Sequence, residues 1–277
     1  MKTNAIIRII LFSLMILLLL GLLAAGLGIG IYMFDVGTST QDYISGSGSV
    51  FADEINNLHI EWASGSVSIQ TADVDTISFT ETATGNNIPE MVYAEHNGTL
   101  TIQFGKPALQ IGLFSFVEKD LTITVPTDWE CKQLDIEAAS ADVSVNSLLA
   151  NKAELDIASG DTKFIDCDLE QLEIDSASGD VQYIGYLTSL ECDAASADVT
   201  AVLYNTPTSI SMDSASGDMT LTLPADSGFT ASVDSMRGDF RSEFSTVFDG
   251  KTYLCGDGAC RIELDCASGD IQLYKGE

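Results

Sequence analysis

Seven aspartates, Asp142, Asp161, Asp180, Asp198, Asp218, Asp239 and Asp270, each close a small-residue corner, and they recur at intervals of 19, 19, 18, 20, 21 and 31 residues. If the corners stack, neighbouring carboxylates lie one strand spacing apart, about 4.8 Å. Like charges at that distance repel by roughly 0.9 kcal/mol in water and about 3.5 kcal/mol at an effective dielectric near 20. Something must relieve that repulsion. An oxygen-rich row suits a hard divalent cation such as Ca²⁺. The alternative needs no ligand: each aspartate accepts backbone N–H groups of its own corner. Ser140, Ser159, Ser178, Ser196, Ser216 and Ser268 would then help. The Gly-Gly-rich pattern of calcium-binding nonapeptides is absent, which favours turn-making. Arg237 replaces the corner serine in one copy and is placed to neutralise Asp239.

Other chemistry is thinly represented. There is no nucleophile elbow, phosphate-binding loop, zinc-protease helix or dinucleotide fingerprint. The two histidines, His59 and His96, have no suggestive Cys or Ser beside them, and His59 alternates with Leu58 and Ile60 as an outward strand residue. The six cysteines form no CxxC pair, so nothing has zinc spacing. Cys192 and Cys266 occupy inward strand positions and read as core thiols. Cys255 and Cys260 flank Gly-Asp-Gly-Ala, whose hairpin composition would allow a cross-strand disulfide outside the cell. The residues thus point away from an enzyme and require no cofactor.

The elements that position the aspartates are short strands. Leu172-Glu-Ile-Asp-Ser-Ala-Ser-Gly-Asp-Val-Gln-Tyr183 sets the frame: an alternating strand, a corner, a second alternating strand. Alternation buries one face and wets the other. One such copy cannot bury its apolar face alone, but stacked copies share a core. Glycine at 160, 179, 217, 238 and 269 supplies left-handed geometry at the corner, although Ala141 and Ala197 hold the same slot. The expected fold is all-β, a β-solenoid-like stack of two-strand repeats of about 20 residues, covering 131–277. Residues 51–130 form an irregular β section that caps it. That section contains a first copy around Leu58–Ile69, a strand at Ile77–Thr82 and a hairpin over Met91–Phe104 turning at Asn97-Gly98.

Ahead of this lies a different kind of segment. Ile9 to Phe34 run for 26 residues without a charge, against about 20 needed to cross a bilayer. Lys2 and Arg8 precede it and acids follow, so the N-terminus (1–8) is expected in the cytoplasm, 9–34 as a retained transmembrane signal-anchor, and 35–50 as a linker. The single-pass chain would hold its C-terminal domain outside the cell membrane. A formal net charge of −29 excludes nucleic acid as a partner and favours cations or basic surfaces.

The charge-free segment, Glu61-Trp-Ala-Ser-Gly-Ser-Val67, Leu121-Thr-Ile-Thr-Val-Pro126 and the serial Ser-Gly-Asp corners together resemble a bacterial putative-adhesin family of β-strand-repeat domains. The resemblance covers about residues 50–277 and extends to membrane-anchored accessory proteins of envelope-stress operons. It implies a non-catalytic interaction domain, with protein or cell-wall material as partner. The alternative function is a structural or divalent-cation-binding envelope component using the acidic corner rows.

Overall fold

Strands follow directly from the alternation, and the computed structural model shows where each one pairs; it describes residues 43–84, 88–105 and 117–276. The first part holds β1 (Ile44–Ser45), β2 (Gly48–Phe51), β3 (Asn57–Ala72), β4 (Thr76–Ala83), β5 (Val92–His96), β6 (Thr99–Gln103) and β7 (Lys119–Pro126). The repeats supply β8 (Glu130–Asn146), β9 (Leu149–Ile157), β10 (Thr162–Ser176), β11 (Val181–Ser196), β12 (Val199–Leu203), β13 (Ser209–Ser216) and β14 (Met219–Pro224). The last part adds β15 (Phe229–Ser235), β16 (Phe240–Ser242), β17 (Val247–Phe248), β18 (Tyr253–Cys255), β19 (Cys260–Cys266) and β20 (Ile271–Gly276). Among the described residues no helix is long and apolar enough to cross a membrane. The expected anchor at 9–34 lies outside the described residues, as does most of the linker.

Each rung contributes one strand segment before its corner and one after it. The segments before the corner pair in parallel in the order β6, β3, β8, β9, β10, β11, β13, β19, β15. Those after it run β7, β3, β8, β10, β11, β12, β14, β20, β16. The stack of two-strand rungs is therefore present, but its spatial order departs from chain order at both ends. The last copy in sequence, β19 and β20, is inserted between the β13/β14 rung and the β15/β16 rung. At the other end β6 and β7 lie outside β3.

This insertion explains the 31-residue interval between Asp239 and Asp270. After β16 the chain makes the β17–β18 hairpin, and β18 runs antiparallel along β15 from outside. β19 then enters on the inner side of β15. Antiparallel strands cap the first rung in the same way, β5 on β6 and β4 on β7. The capping role expected for the N-terminal section is thus shared by two ends. Ile44–Glu277 is one unit with no division near residue 130. The Asn97-Gly98 hairpin forms as read, with φ of 50° and 76° at its two turn residues.

The core is the set of inward positions of both segments. Leu134 and Ile136, Leu172 and Ile174, and Ile262 and Leu264 are all essentially inaccessible, as are Val143, Val145 and Leu221. Truncating one of these to Ala costs about 2–5 kcal/mol in a packed interior. At the N-terminal end Lys119 stands in register with Gly65. Only 1% exposed, its Nζ donates to Glu81 Oε2 at 2.7 Å and to the carbonyls of Pro89 and Phe104 at 2.5 and 2.6 Å. That ammonium ties the end of β7 to the segments flanking the β5–β6 hairpin.

Candidate interaction surface

The corner aspartates do form a column, in the spatial order Asp142, Asp161, Asp180, Asp198, Asp218, Asp270, Asp239. Every carboxylate but the last, Asp239, accepts a hydrogen bond from the backbone N–H of the next aspartate, not from its own corner as expected. Asp161 N–H donates to Asp142 Oδ1 at 2.9 Å, Asp180 to Asp161 at 3.0 Å and Asp198 to Asp180 at 3.2 Å. Asp218 donates to Asp198 at 2.8 Å, Asp270 to Asp218 at 2.8 Å and Asp239 to Asp270 at 2.9 Å. The ladder is a rung-to-rung clasp, and each N–H offsets part of the negative charge below it. Among the described residues no group of three His, Cys, Asp or Glu side chains is arranged to hold a metal ion. Asp120 extends the column at the N-terminal end by accepting from Ser66 Oγ at 2.7 Å. Its sequence signal was Asp120-Leu-Thr-Ile123, a post-corner strand without the Ser-Gly that marks the other copies.

Corner serines join the clasp by their backbone. The Ser178 carbonyl accepts from Gly160 N–H at 3.1 Å and that of Ser268 from Gly217 N–H at 3.1 Å. Glycine is required at two of these corners for two reasons, whereas Gly238, expected to be left-handed too, does not have a positive φ. Gly160 and Gly217 have φ of 134° and 128°, and a Cβ there would stand 2.1 and 2.0 Å from the carbonyl oxygens of Ala141 and Ala197. Arg237 is exposed, and the arginine that reaches Asp239 is Arg241, at 3.4 Å.

The Cys255–Cys260 bridge does not form, since both thiols are free. Their strands are not partners: β18 pairs with one side of β15 and β19 with the other, both cysteines lying opposite Phe229. Two strand spacings, about 9.6 Å, exceed the roughly 7 Å limit between Cα atoms of a disulfide. Cys192 and Cys266 are buried in the core as read.

A larger acidic feature covers the outer face of the pre-corner segments. Glu61, Glu137, Asp156, Asp175, Asp193, Asp213, Asp265 and Asp234 are consecutive register partners across eight rungs. Beside them runs a second column: His59, Asp135, Glu154, Glu173 and Glu191. The post-corner segments present a different outer row, Ser144, Lys163, Gln182, Thr200, Thr220 and Gln272, with no carboxylate in it. The acidity is therefore sorted onto one sheet face. Its signal was the repeated apolar-acidic-apolar-Asp strand, as in Leu172-Glu-Ile-Asp175 and Leu190-Glu-Cys-Asp193; the columns emerge only when register is known.

Burial and crowding together shift the carboxyls on this face. Burial, then neighbouring Asp156 and Glu173, push the Asp175 carboxyl up to about 6. Glu137 and Asp156 are also raised, mainly by burial. At one end His59 lies between Asp135 Oδ2 at 2.9 Å and Glu61 Oε1 at 3.1 Å. Those hydrogen bonds, Asp135 first, raise its pKa to about 10, so it is a cation at neutral pH. Lys152 similarly bridges Glu154 at 2.7 Å and Glu173 at 3.0 Å. These are modest internal neutralisers of a face that stays strongly negative.

Among solved structures, a "putative adhesin" from Bacteroides fragilis is 13% identical with a TM-score of 0.46, covering 85% of this chain and 98% of its own. A "putative cell adhesion protein" from Clostridium sporogenes is 11% identical with a TM-score of 0.41, covering 85% and 100%. A "putative lipid binding protein" from Parabacteroides distasonis is 15% identical with a TM-score of 0.42, covering 86% and 98%. No curated protein matches the chain. The family model named Toastrack DUF4097 matches residues 55–200, over half of the chain, running from β3 to the start of β12 and including the first four aspartates of the clasp. The chain belongs to the Toastrack DUF4097 family.

Proposed function

We propose that this chain is a non-catalytic interaction domain, held at a membrane by its N-terminal charge-free segment and displayed outside the cell. In this reading it works by contact, as an adhesin-like or envelope-stress accessory protein. The observation that carries it is the flat acidic face, with a carboxylate from eight successive rungs in one column. A rigid array of like charges at strand spacing attracts a cationic surface, and its energy grows with every rung engaged. The outer row of the post-corner segments, hydroxyls and amides with Lys163, holds no carboxylate.

The test is titration of the full chain with a lysine-rich peptide at low and at high salt. Binding should weaken steeply with salt. The triple variant Asp156→Asn, Asp175→Asn, Asp193→Asn should lose about tenfold in affinity. Equal binding by the variant would remove the face from the proposal. Protease accessibility on intact cells checks the display: a domain shielded from external protease would overturn the anchored, outward orientation.

A further inference from the structure

Tyr186 and Tyr204 stand together at the bend opposite the corners, where the post-corner segment of one rung passes into the pre-corner segment of the next. They are 51% and 46% exposed. Their rings meet nearly at right angles, 79° between planes, with centroids 5.3 Å apart. A framework beneath them fixes this pair. The buried Tyr183 donates from its hydroxyl to the Tyr186 carbonyl at 2.6 Å, and Tyr204 N–H donates to the Gly185 carbonyl at 2.9 Å. The Asn205 side chain accepts from Leu187 N–H at 3.0 Å and donates to the Leu187 carbonyl at 2.9 Å. Two exposed rings are thus held in one arrangement without a ligand.

Carboxylates flank the rings. Tyr204 Oη donates to Asp166 Oδ1 at 3.0 Å, and Asp166 occupies the bulge between Ile165 and Cys167 with φ of 54°. Asp168 is the register partner of Tyr186, and on its other side it partners Leu149, itself 40% exposed. Both aspartates are exposed. The three segments that meet here, 164–170, 183–190 and 202–209, contain Asp166, Asp168 and Glu170 but no Lys, Arg or His. Lys163 pairs in register with Ser144 and Gln182, on the outer row, and Lys152 is taken up by Glu154 and Glu173.

The chemistry of this cluster selects a cation of one kind. Aromatic faces are electronegative and attract positive charge, and adjoining carboxylates add to the attraction. A primary ammonium carries three N–H donors that need acceptors once it leaves water. Ring faces supply none, and one Asp166 oxygen is already engaged by Tyr204. A quaternary ammonium has no such need, and its methyl groups pack on the rings. A head group that also bears phosphate meets the repulsion of a chain of net charge −29. We propose that Tyr186 and Tyr204, with Asp166 and Asp168 beside them, bind a small free quaternary ammonium compound of the choline type. The site contains no residue of the two acidic columns, so it stands independently of the interaction face.

The experiment is a proton NMR titration of choline with the full chain, in a mild detergent that has no choline head group. Salt is kept at about 0.15 M to screen diffuse attraction to the acidic surface. The choline methyl resonance should move upfield, as over a ring face. Dimethylbutanol, the uncharged isostere with carbon in place of nitrogen, should bind at least about tenfold more weakly. Tyr204→Leu should weaken choline binding about tenfold, and Asp166→Asn with Asp168→Asn about fivefold. Tyr186→Phe keeps the ring and should stay within about twofold of the unaltered chain. Far-UV circular dichroism verifies the fold of each variant. Equal binding of the isostere would make this an apolar patch and overturn the proposal. Choline binding that survives Tyr204→Leu, absence of choline binding, or binding only of a neutral oligosaccharide added in its place would overturn it as well.

Discussion

At the residue scale, Asp175 shows how a favourable surface is held at a cost in stability. Its pKa is pushed up to about 6, chiefly by burial and then by adjacent carboxylates. A carboxyl whose folded pKa lies above its unfolded value near 3.9 binds its proton more tightly in the native state. Its contribution to stability therefore falls as pH rises from about 4 through about 6. Asp175→Asn should raise stability at pH 7 by roughly 0.5–1 kcal/mol, the scale of a like-charge cross-strand pair. Near pH 4 the advantage should largely vanish. Urea melts of wild type and variant at both pH values check this, and an equal offset at the two would assign the effect to packing.

At the scale of the element, the corner is a joint between rungs as much as a turn within one. Gly217 combines φ of 128° with a neighbouring carbonyl 2.0 Å from where a Cβ would be. Gly217→Ala should cost about 2 kcal/mol or more, combining left-handed strain with a displaced rung contact. Ala197→Gly, in the corresponding slot one rung away, should cost at most about 1 kcal/mol of backbone entropy. The comparison is made by chemical denaturation of the two single variants. A small loss at Gly217 would mean that the rung can shift to accept a methyl group. Much of this joint was legible: Ser-Gly-Asp corners announce a turn by composition alone. That the carboxylate clasps the next rung was not, because a hydrogen bond between residues 18 to 52 apart in sequence leaves no local trace.

For the whole molecule, the aspartate column decides between a cation site and a structural clasp. A cation bound only by the native state at 100 times its dissociation constant adds about 2.7 kcal/mol, which a melt resolves. With Oδ1 of six of the seven aspartates already engaged, millimolar Ca²⁺ should leave the melting temperature of the full chain unchanged relative to chelator. Asp180→Asn keeps an acceptor for Asp198 N–H and should be close to neutral, whereas Asp180→Ala should lose about 1 kcal/mol. An upward shift with Ca²⁺ that Asp180→Asn abolishes would instead make the column a metal site. Rung order matters here too. Asp270 lies between Asp218 and Asp239, so the clasp closes through residues whose sequence order is reversed.

What the amino-acid sequence determined unaided is everything encoded in a window of about 20 residues: strand alternation, corner chemistry, the repeat, and hence a stacked all-β domain. The Asn97-Gly98 hairpin and the buried Cys192 and Cys266 belong to that class, because burial follows from side-chain alternation. Tertiary structure alone decided which rung follows which. It placed β15 between Cys255 and Cys260 and sorted the acids into columns on one face. The physical reason is register. Backbone pairing is nearly indifferent to sequence order, so a late copy can fill an inner place when an antiparallel hairpin caps the end. Surfaces built across rungs exist only once that order is settled.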